Sequence, residues 1–121
     1  MILVDTSVWV GHLKNGNERL AGFLDAGRVL CHPFIIGELA LGNLRRRDAI
    51  LTALQDLPRT TEANHAEVLN FIRQHALMGR GIGYVDAHIL CSAMLTPDAS
   101  LWTHDKALAG VAVALNLASG E

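Results

Sequence analysis

Short apolar runs alternate with helical segments along this chain, and the alternation limits the folds that it can adopt. Ile2–Val4 is an apolar run with two β-branched residues and is predicted to be a buried strand. Arg28–Cys31 and Ser100–Thr103 are predicted to be further strands, separated from one another by helical sequence. Strands that alternate with helices indicate an α/β sandwich with a mostly parallel sheet.

Helices are predicted in the segments between these strands. Thr6 and Ser7 are candidate N-caps of the first one, since short hydroxyl side chains favour that position. The predicted helices are Val8–Leu13, Glu18–Ala26, Pro33–Leu44, Arg46–Asp56, Ala63–Leu77, Tyr84–Leu95 and Lys106–Leu115. Arg59–Thr61 is predicted to be a short edge strand and Asn116–Ala118 a closing strand.

The size and composition of the chain indicate one domain, 1–121, with a substantial core. The 121 residues correspond to about one domain, and half of them are hydrophobic. No apolar stretch reaches the roughly 18 residues that a membrane span needs, and no signal peptide is expected. The two cysteines, Cys31 and Cys91, lack zinc spacing and are expected to be buried thiols, which fits a reducing cytoplasm.

Three carboxylates stand alone in apolar sequence, and a fourth closes a strand-like segment. Asp5 is the only acidic or basic residue before Lys14, and Glu38 and Asp86 lie in similarly apolar segments. Asp105 closely follows the predicted strand Ser100–Thr103. A desolvated charge is costly unless it is paired, protonated or bound to a cation. Carboxylates from four distant segments could therefore converge on one divalent metal site.

The predicted fold allows these four acids to meet. Asp5 and Asp105 end strands, and the carboxyl edge of an open parallel sheet is where ligands bind. Asp86 lies in the first turn of a helix, and Glu38 lies on a helix that follows a strand. Carboxylate oxygens suit Mg²⁺ or Mn²⁺, and such an ion can orient an in-line displacement at phosphorus. Without a metal, the four acids would repel one another and some would take up protons near neutral pH.

Each acid also has a purely structural interpretation when it is taken singly. Asp5 or Asp105 could cap the helix that follows it, and Glu38 could pair with a distant arginine. Asp86 could simply complement the helix dipole in a first turn. A structural role for all four acids at once is the less favoured interpretation.

The four acids lie in the segments VDTSVW, PFIIGELALGNL, GIGYVDAHIL and LWTHDKAL. Together these segments resemble the PIN-domain family, and most closely the VapC toxins of bacterial toxin–antitoxin modules. The resemblance covers essentially the whole chain, and the order and spacing of the acids match the acidic quartet of the family.

The resemblance implies a Mg²⁺- or Mn²⁺-dependent endoribonuclease on a three-layer α/β/α, Rossmann-like sandwich with a short, mostly parallel sheet. It also implies a cytoplasmic homodimer that is neutralised by a VapB-like antitoxin, whose C-terminal peptide occupies the pocket. By the same resemblance, Asp5 and Asp86 are expected to be the principal metal ligands. Glu38 and Asp105 are expected to complete the site through metal-bound waters or a second metal.

Two threonines match hydroxyl positions beside the acids of the family. Thr6 and Thr103 are expected to orient carboxylates or phosphate. Some members of the family carry a further acid just after the fourth. In this chain Lys106 and Ala107 follow Asp105, which weakens the case for a fully occupied second metal site.

Basic residues are few, and two places are candidates for contact with RNA. The formal net charge is −2, so RNA binding requires a local basic patch or bound metal rather than an overall basic surface. The run Arg45–Arg47 could hold RNA phosphates, meet an acidic antitoxin segment or form a solvated turn. Arg80 is the better phosphate candidate, because it lies close in sequence to Asp86.

Aromatic and histidine side chains carry weaker signals. Trp9, Tyr84 and Trp102 are too few for a base-stacking platform, and core packing is expected for them. His104 lies beside Asp105 and could shuttle protons, although ordinary packing at the strand end is the favoured interpretation.

Two other classes of function remain open from the residues alone. One is a phosphatase or phosphoacceptor with Asp5 as the nucleophile, but a haloacid-dehalogenase-like site requires a second aspartate where Ser7 stands. The other is a non-catalytic binding module whose acidic pocket receives arginines of a partner peptide. The metal-dependent ribonuclease is the preferred prediction.

Overall fold

Three parallel strands form the central sheet of the computed structural model, which describes residues 1–119. β1 (Ile2–Val4) lies in the middle, between β2 (Val29–Leu30) and β3 (Ser100–Trp102). Leu3 pairs with a leucine on each side, in β2 and in β3. All of β1 is buried, as expected for the central strand of a parallel sheet covered by helices. The predicted α/β class with a parallel sheet is confirmed.

Seven helices accompany the sheet in the part of the chain that the structure describes. They are α1 (Thr6–Asn15), α2 (Glu18–Asp25), α3 (Pro33–Ala40), α4 (Arg47–Gln55), α5 (His65–Gln74), α6 (Tyr84–Met94) and α7 (Lys106–Ala114). Every one of them contributes buried apolar side chains to a single core. Residues 87–93 of α6 are all buried, so this helix runs through the interior. None of the helices in residues 1–119 has the length and apolarity needed to cross a membrane.

The start of α1 corrects the predicted cap. Thr6 and Ser7 are not the capping residues; the helix already begins at Thr6, and Asp5 is its N-cap. The backbone of Asp5 is extended (φ −69°, ψ 156°), and its carboxylate accepts a hydrogen bond of 3.4 Å from the amide of Ser7. A carboxylate in this position satisfies a free amide of the first turn as well as a hydroxyl does, so the strand passes directly into the helix.

The apolar pattern beyond Glu38 made the third helix too long in the prediction. α3 ends at Ala40 rather than at Leu44, and Leu41 is 90% exposed. The next helix begins only after Arg46, whose backbone is left-handed (φ 55°). An apolar residue that faces solvent cannot be distinguished by pattern alone from one that continues a buried helix face.

Two predicted strands are reduced to single bridges. Within the segment predicted as Arg59–Thr61, only Arg59 bridges to Cys31, and at the predicted closing strand only Ala118 bridges to Leu101. β2 itself has two residues rather than the predicted four, so the edge offers little backbone for a neighbour to pair with. The fifth helix begins at His65 rather than at Ala63, because Asn64 caps it.

Candidate functional site

Asp5 lies at the carboxyl end of β1 and is only 6% exposed. Its Oδ2 accepts hydrogen bonds from the Ser7 amide at 3.4 Å, the Ser7 hydroxyl at 2.7 Å and the Thr103 hydroxyl at 2.8 Å. Short hydroxyl bonds to an ionised carboxylate are of the stronger, charge-assisted kind. Within residues 1–119 these bonds all end on Oδ2, which leaves Oδ1 as the oxygen available to a cation.

The two hydroxyls that hold Asp5 are themselves fixed by backbone amides. The amide of His104 donates to Ser7 Oγ at 3.0 Å, and the amide of Asp105 donates to Thr103 Oγ1 at 3.0 Å. Ser7 is a site residue that the sequence analysis did not select. Its spacing of two residues from Asp5, at the start of a helix, is the signal that points to it. The carboxylate of Asp5 is thus oriented by groups from both ends of the chain.

Glu38 is brought to the site by α3, and its partner is Thr6. The Thr6 hydroxyl donates a hydrogen bond of 2.7 Å to Oε1 of Glu38, which joins the first residue of α1 to the last turns of α3. The pair is less buried than Asp5, and Glu38 is exposed. Both threonines that the sequence analysis selected therefore contact one of the four acids.

Asp86 lies in the first turn of α6, next to the buried part of that helix. Its Oδ2 accepts a hydrogen bond of 3.3 Å from the amide of Gly83. Burial raises the pKa of Asp86, the Gly83 amide lowers it, and the negative charges of Asp5, Asp105 and Glu38 raise it further. Asp86 therefore lies in the electrostatic field of the other three acids.

Asp105 is the N-cap of α7. Its Oδ1 accepts a hydrogen bond of 2.9 Å from the amide of Leu108, and the residue is exposed. The capping roles considered for Asp5 and Asp105 are both present. They do not compete with a role at the site, because a cap uses one carboxylate oxygen and leaves the other.

The four acids do not form a ready-made metal cage. Within residues 1–119, no three Asp, Glu, His or Cys side chains lie close enough together to hold an ion. The donor set nevertheless fits a hard divalent cation, since it consists of carboxylate oxygens without a nearby thiolate or imidazole ligand set. The negative charges of the other acids, which raise the pKa of Asp86, also favour a bound cation, because a cation relieves their repulsion. Glu38 and Asp105 are exposed and have the freedom to turn toward such an ion.

A glycine-rich loop, 79–83, carries Arg80 and packs near Asp105. Gly79 and Gly81 have left-handed backbones (φ 72° and 81°), which disfavour other residues. A Cβ on Gly81 would lie 3.5 Å from the Cβ of Ala107, so the loop packs against the first turn of α7 beside Asp105. Arg80 itself is exposed in this loop.

The second basic candidate lies around a groove next to Glu38. The groove has a volume of about 680 Å³ and lies between α1, α3 and α4. Lys14, Arg45 and Arg46 line it together with Glu38 and aliphatic side chains. Arg47 instead donates a hydrogen bond of 3.4 Å to the carbonyl of Gly42. The basic run is therefore divided between a groove and a turn.

Buried histidines connect the helices that carry Glu38 and Asp86. His32, the N-cap of α3, is fully buried, and its Nδ1 accepts a hydrogen bond of 3.0 Å from the Phe34 amide. The proton therefore lies on Nε2, which donates to Ser92 Oγ of α6 at 3.1 Å. Burial, with smaller contributions from the positive charges of His88 and Arg59, lowers the pKa of His32 to about 4. His32 is thus a neutral link between the two helices.

Comparison with known proteins identifies the family of this chain. The PIN domain family matches residues 2–114, a span that contains all four acids. Ribonuclease VapC32 of Mycobacterium tuberculosis, found in two strains, is 46% identical over 108 residues, which are 89% of this chain and 87% of the relative. The chain, with its parallel sheet and four acids, belongs to the PIN-domain family as a VapC-like member.

Proposed function

We propose that this protein is a Mg²⁺- or Mn²⁺-dependent endoribonuclease, the toxin of a toxin–antitoxin pair. Asp5, Glu38, Asp86 and Asp105 form its catalytic metal site. The observation that carries the proposal is the hydrogen-bond geometry around the acids: the Thr103 hydroxyl donates to Asp5 and accepts a hydrogen bond from the amide of Asp105, and Thr6, next to Asp5, donates to Glu38. The similarity to a protein named as a ribonuclease supports RNA as the substrate.

The contacts of each acid suggest its role. Asp5 would hold the metal, and Oδ1 is the oxygen left for it, because the hydroxyls of Ser7 and Thr103 donate to Oδ2. Asp86 would be the second principal ligand, since burial and the nearby acids destabilise its negative charge when no cation is bound. Glu38, oriented by Thr6, and Asp105 complete the site through waters or a second ion. A divalent ion held by these side chains supplies charge stabilisation for an in-line displacement at phosphorus.

The remaining parts of the proposal concern the surroundings of the site. Arg80, exposed in the glycine loop beside α7, holds a phosphate of the RNA. The 121 residues form a single PIN domain that acts as a cytoplasmic homodimer. A VapB-like antitoxin neutralises it. The name of the relative supports a VapC-like toxin with its antitoxin, and the match of residues 2–114 supports a single PIN domain.

Incubation of the purified, antitoxin-free protein with total cellular RNA tests the activity. Reactions contain Mg²⁺, Mn²⁺ or EDTA, and Asp5→Asn is run in parallel, because an amide oxygen can still accept the Ser7 and Thr103 hydrogen bonds. Asp25→Asn, which neutralises an exposed acid on α2, is the matched control. Discrete fragments that require metal and disappear only with Asp5→Asn are expected.

The opposite results distinguish the alternatives. Fragments that persist in EDTA, or with Asp5→Asn, would rule out the metal site. A folded protein that cleaves no RNA and binds no divalent ion would instead favour the non-catalytic module, in which the acids receive arginines of a partner peptide. A phosphorylated Asp5, trapped and found by mass spectrometry, would favour the phosphatase.

A further inference from the structure

Tyr84 is an exposed aromatic residue at the start of an otherwise buried helix. Its side chain is 41% exposed, whereas residues 87–93 of the same helix are all buried. Core packing, expected for the aromatic residues from the sequence, is correct for Trp9 and Trp102 and wrong for Tyr84. Tyr84 and Asp86 lie two residues apart in the first turn of α6, so their backbones are close although their side chains leave the helix in different directions.

The ring of Tyr84 is held in place by two histidines. Its hydroxyl lies 2.8 Å from Nδ1 of His65, the first residue of α5, in a hydrogen bond. The ring centroid of Tyr84 is 5.4 Å from that of His65 and 6.0 Å from that of His88. An exposed side chain fixed in this way loses little conformational freedom when a flat ligand binds to its face.

The aromatic contacts continue from Tyr84 toward the helix that carries Glu38. His88 packs against Phe34 of α3, with ring centroids 4.3 Å apart and ring planes inclined by 36°. Phe34 and Glu38 are four residues apart on α3, so they lie on one face of that helix. Phe34, His65, Tyr84 and His88 therefore form a continuous aromatic shelf between α5, α6 and α3, which ends on the face of α3 that carries Glu38.

We propose that Tyr84, supported by the aromatic shelf, stacks on an unpaired nucleobase of the RNA substrate next to the cleaved bond. The inference rests on the proposed ribonuclease function. A phosphate at Asp86 brings its neighbouring nucleotides to the first turn of α6, where the exposed ring lies. Every base has a π face, and stacking on an aromatic side chain strengthens binding without hydrogen-bond readout. A single ring flanked by imidazoles suits a flat base better than the aliphatic side chains of a protein partner.

Binding is tested without reference to cleavage. Tyr84 is the only tyrosine of the chain, so incorporation of 3-fluorotyrosine gives one ¹⁹F signal from this position. The label is placed in the Asp5→Asn variant with Mg²⁺, and hexaribonucleotides of A, C, G or U are titrated in. A ribose-phosphate hexamer without bases is the control. The base-containing hexamers are expected to shift the signal and the abasic hexamer to leave it nearly unchanged. Equal shifts, or no shift with bound RNA detected by anisotropy, would overturn the proposal.

Kinetics on the RNA that the wild-type protein cleaves give a second test. Tyr84→Leu removes the ring, whereas Tyr84→Phe keeps it. The KM for the RNA is expected to be about fivefold or more higher for Tyr84→Leu than for Tyr84→Phe. Val113→Ser, which removes another exposed apolar side chain, on α7, is the control and is expected to keep the wild-type KM. The same KM for the Leu and Phe variants would contradict stacking. Dissociation of an oligomer in Tyr84→Leu, seen by size-exclusion chromatography, would identify a subunit contact instead.

The two proposals fail in different ways. If the wild-type protein cleaves RNA but the ring makes no difference, the stacking inference alone is wrong. If the wild-type protein cleaves no RNA under any condition, the ribonuclease proposal is wrong, whatever the ¹⁹F signal shows.

Discussion

The hydroxyl of Thr103 donates a hydrogen bond of 2.8 Å to Oδ2 of Asp5, although 98 residues separate the two in the chain. The same hydroxyl oxygen accepts a hydrogen bond of 3.0 Å from the amide of Asp105. One side chain thus connects the ends of β1 and β3 and places two of the four acids relative to each other.

Thr103→Val keeps the shape of this side chain and removes both hydrogen bonds. We expect the metal-dependent cleavage rate to fall about tenfold or more and the free energy of unfolding to fall by about 1–3 kcal/mol, since partners of partly buried groups are left unsatisfied. Urea unfolding and cleavage assays measure the two effects. Thr103→Ser retains the hydroxyl and should restore most of both. A Val variant that is destabilised but binds metal and cleaves RNA normally would show that Thr103 is only structural.

Thr6 gives a second test of how the acids are oriented. Thr6→Val removes the 2.7 Å hydrogen bond to Glu38, a contact at the surface, so its loss should change stability by less than about 0.5 kcal/mol. The affinity for Mn²⁺, measured by calorimetry, should fall several-fold because the carboxylate is then free to turn away. Glu38→Gln should lower the affinity at least as much. If Thr6→Val weakens metal binding further in a Glu38→Gln background, the hydroxyl acts elsewhere.

The charge on Asp86 should destabilise the metal-free protein. Burial and the neighbouring acids raise the pKa of Asp86 above its usual value of 3.8, so the native state binds the proton more tightly than the unfolded chain does. The contribution of Asp86 to stability is therefore greatest below pH 3.8 and declines as pH rises through the native pKa. At neutral pH in EDTA, Asp86→Asn should melt at a higher temperature than the wild type.

Added metal should reverse this order. Mg²⁺ should raise the melting temperature of the wild-type protein, because it binds the native state alone. At a Mg²⁺ concentration one hundred times the dissociation constant, the free energy of unfolding should increase by about 2.7 kcal/mol. Asp86→Asn should show little of this increase and should lose RNA cleavage about 100-fold or more. A wild-type protein whose melting temperature is indifferent to Mg²⁺ and Mn²⁺ would contradict the metal site.

The neutral state of His32 predicts a loss of stability in mild acid. The pKa of His32 is about 4 in the folded protein, against 6.5 in a solvated histidine, so the unfolded chain takes up the proton first. The stabilisation is complete above pH 6.5 and declines between about pH 6.5 and pH 4, by up to about 1.4 kcal/mol per pH unit. Unfolding by urea at several pH values measures the slope.

A matched variant separates His32 from the other histidines. Asn is a favoured N-cap, so His32→Asn should retain the capping of α3 while it loses the hydrogen bond to Ser92 and the titrating group. Its stability should be lower at neutral pH and should depend less on pH than that of the wild type. An unchanged slope would mean that other groups cause the loss.

The burial of Asp5 could be predicted from sequence, because it stands alone at the end of the apolar run MILVD; the strand, its bounds and its place before a helix are all confirmed. Glu38 and Asp105 are exposed, so the cost of a desolvated charge does not apply to them in the same way. What could not be predicted depends on contacts between distant segments. The hydroxyl oxygen of Ser7 also accepts a hydrogen bond from the amide of His104, 97 residues away, and no local pattern indicates that bond.

The helix end at Ala40 and the exposure of Tyr84 were mispredicted for a related reason. Leu41 and Tyr84 continue apolar patterns, but Leu41 is 90% exposed and Tyr84 is 41% exposed. A pattern gives the tendency of a segment to be buried, whereas the tertiary fold determines whether a partner surface exists. The shelf of Phe34, Tyr84 and the two histidines could be recognised only once α3, α5 and α6 had been placed together.

The central position of β1 has a consequence for the order in which the molecule becomes active. Asp5 is synthesised early, but the groups that orient it come from residues 100–105. They are the hydroxyl of Thr103 and the amide of His104, and β3, in the same segment, is one neighbour of β1. A growing chain therefore carries its first acid for most of its synthesis without the groups that orient it. An activity that depends on the orientation of Asp5 therefore cannot arise before residues 100–105 have been synthesised and have packed beside β1.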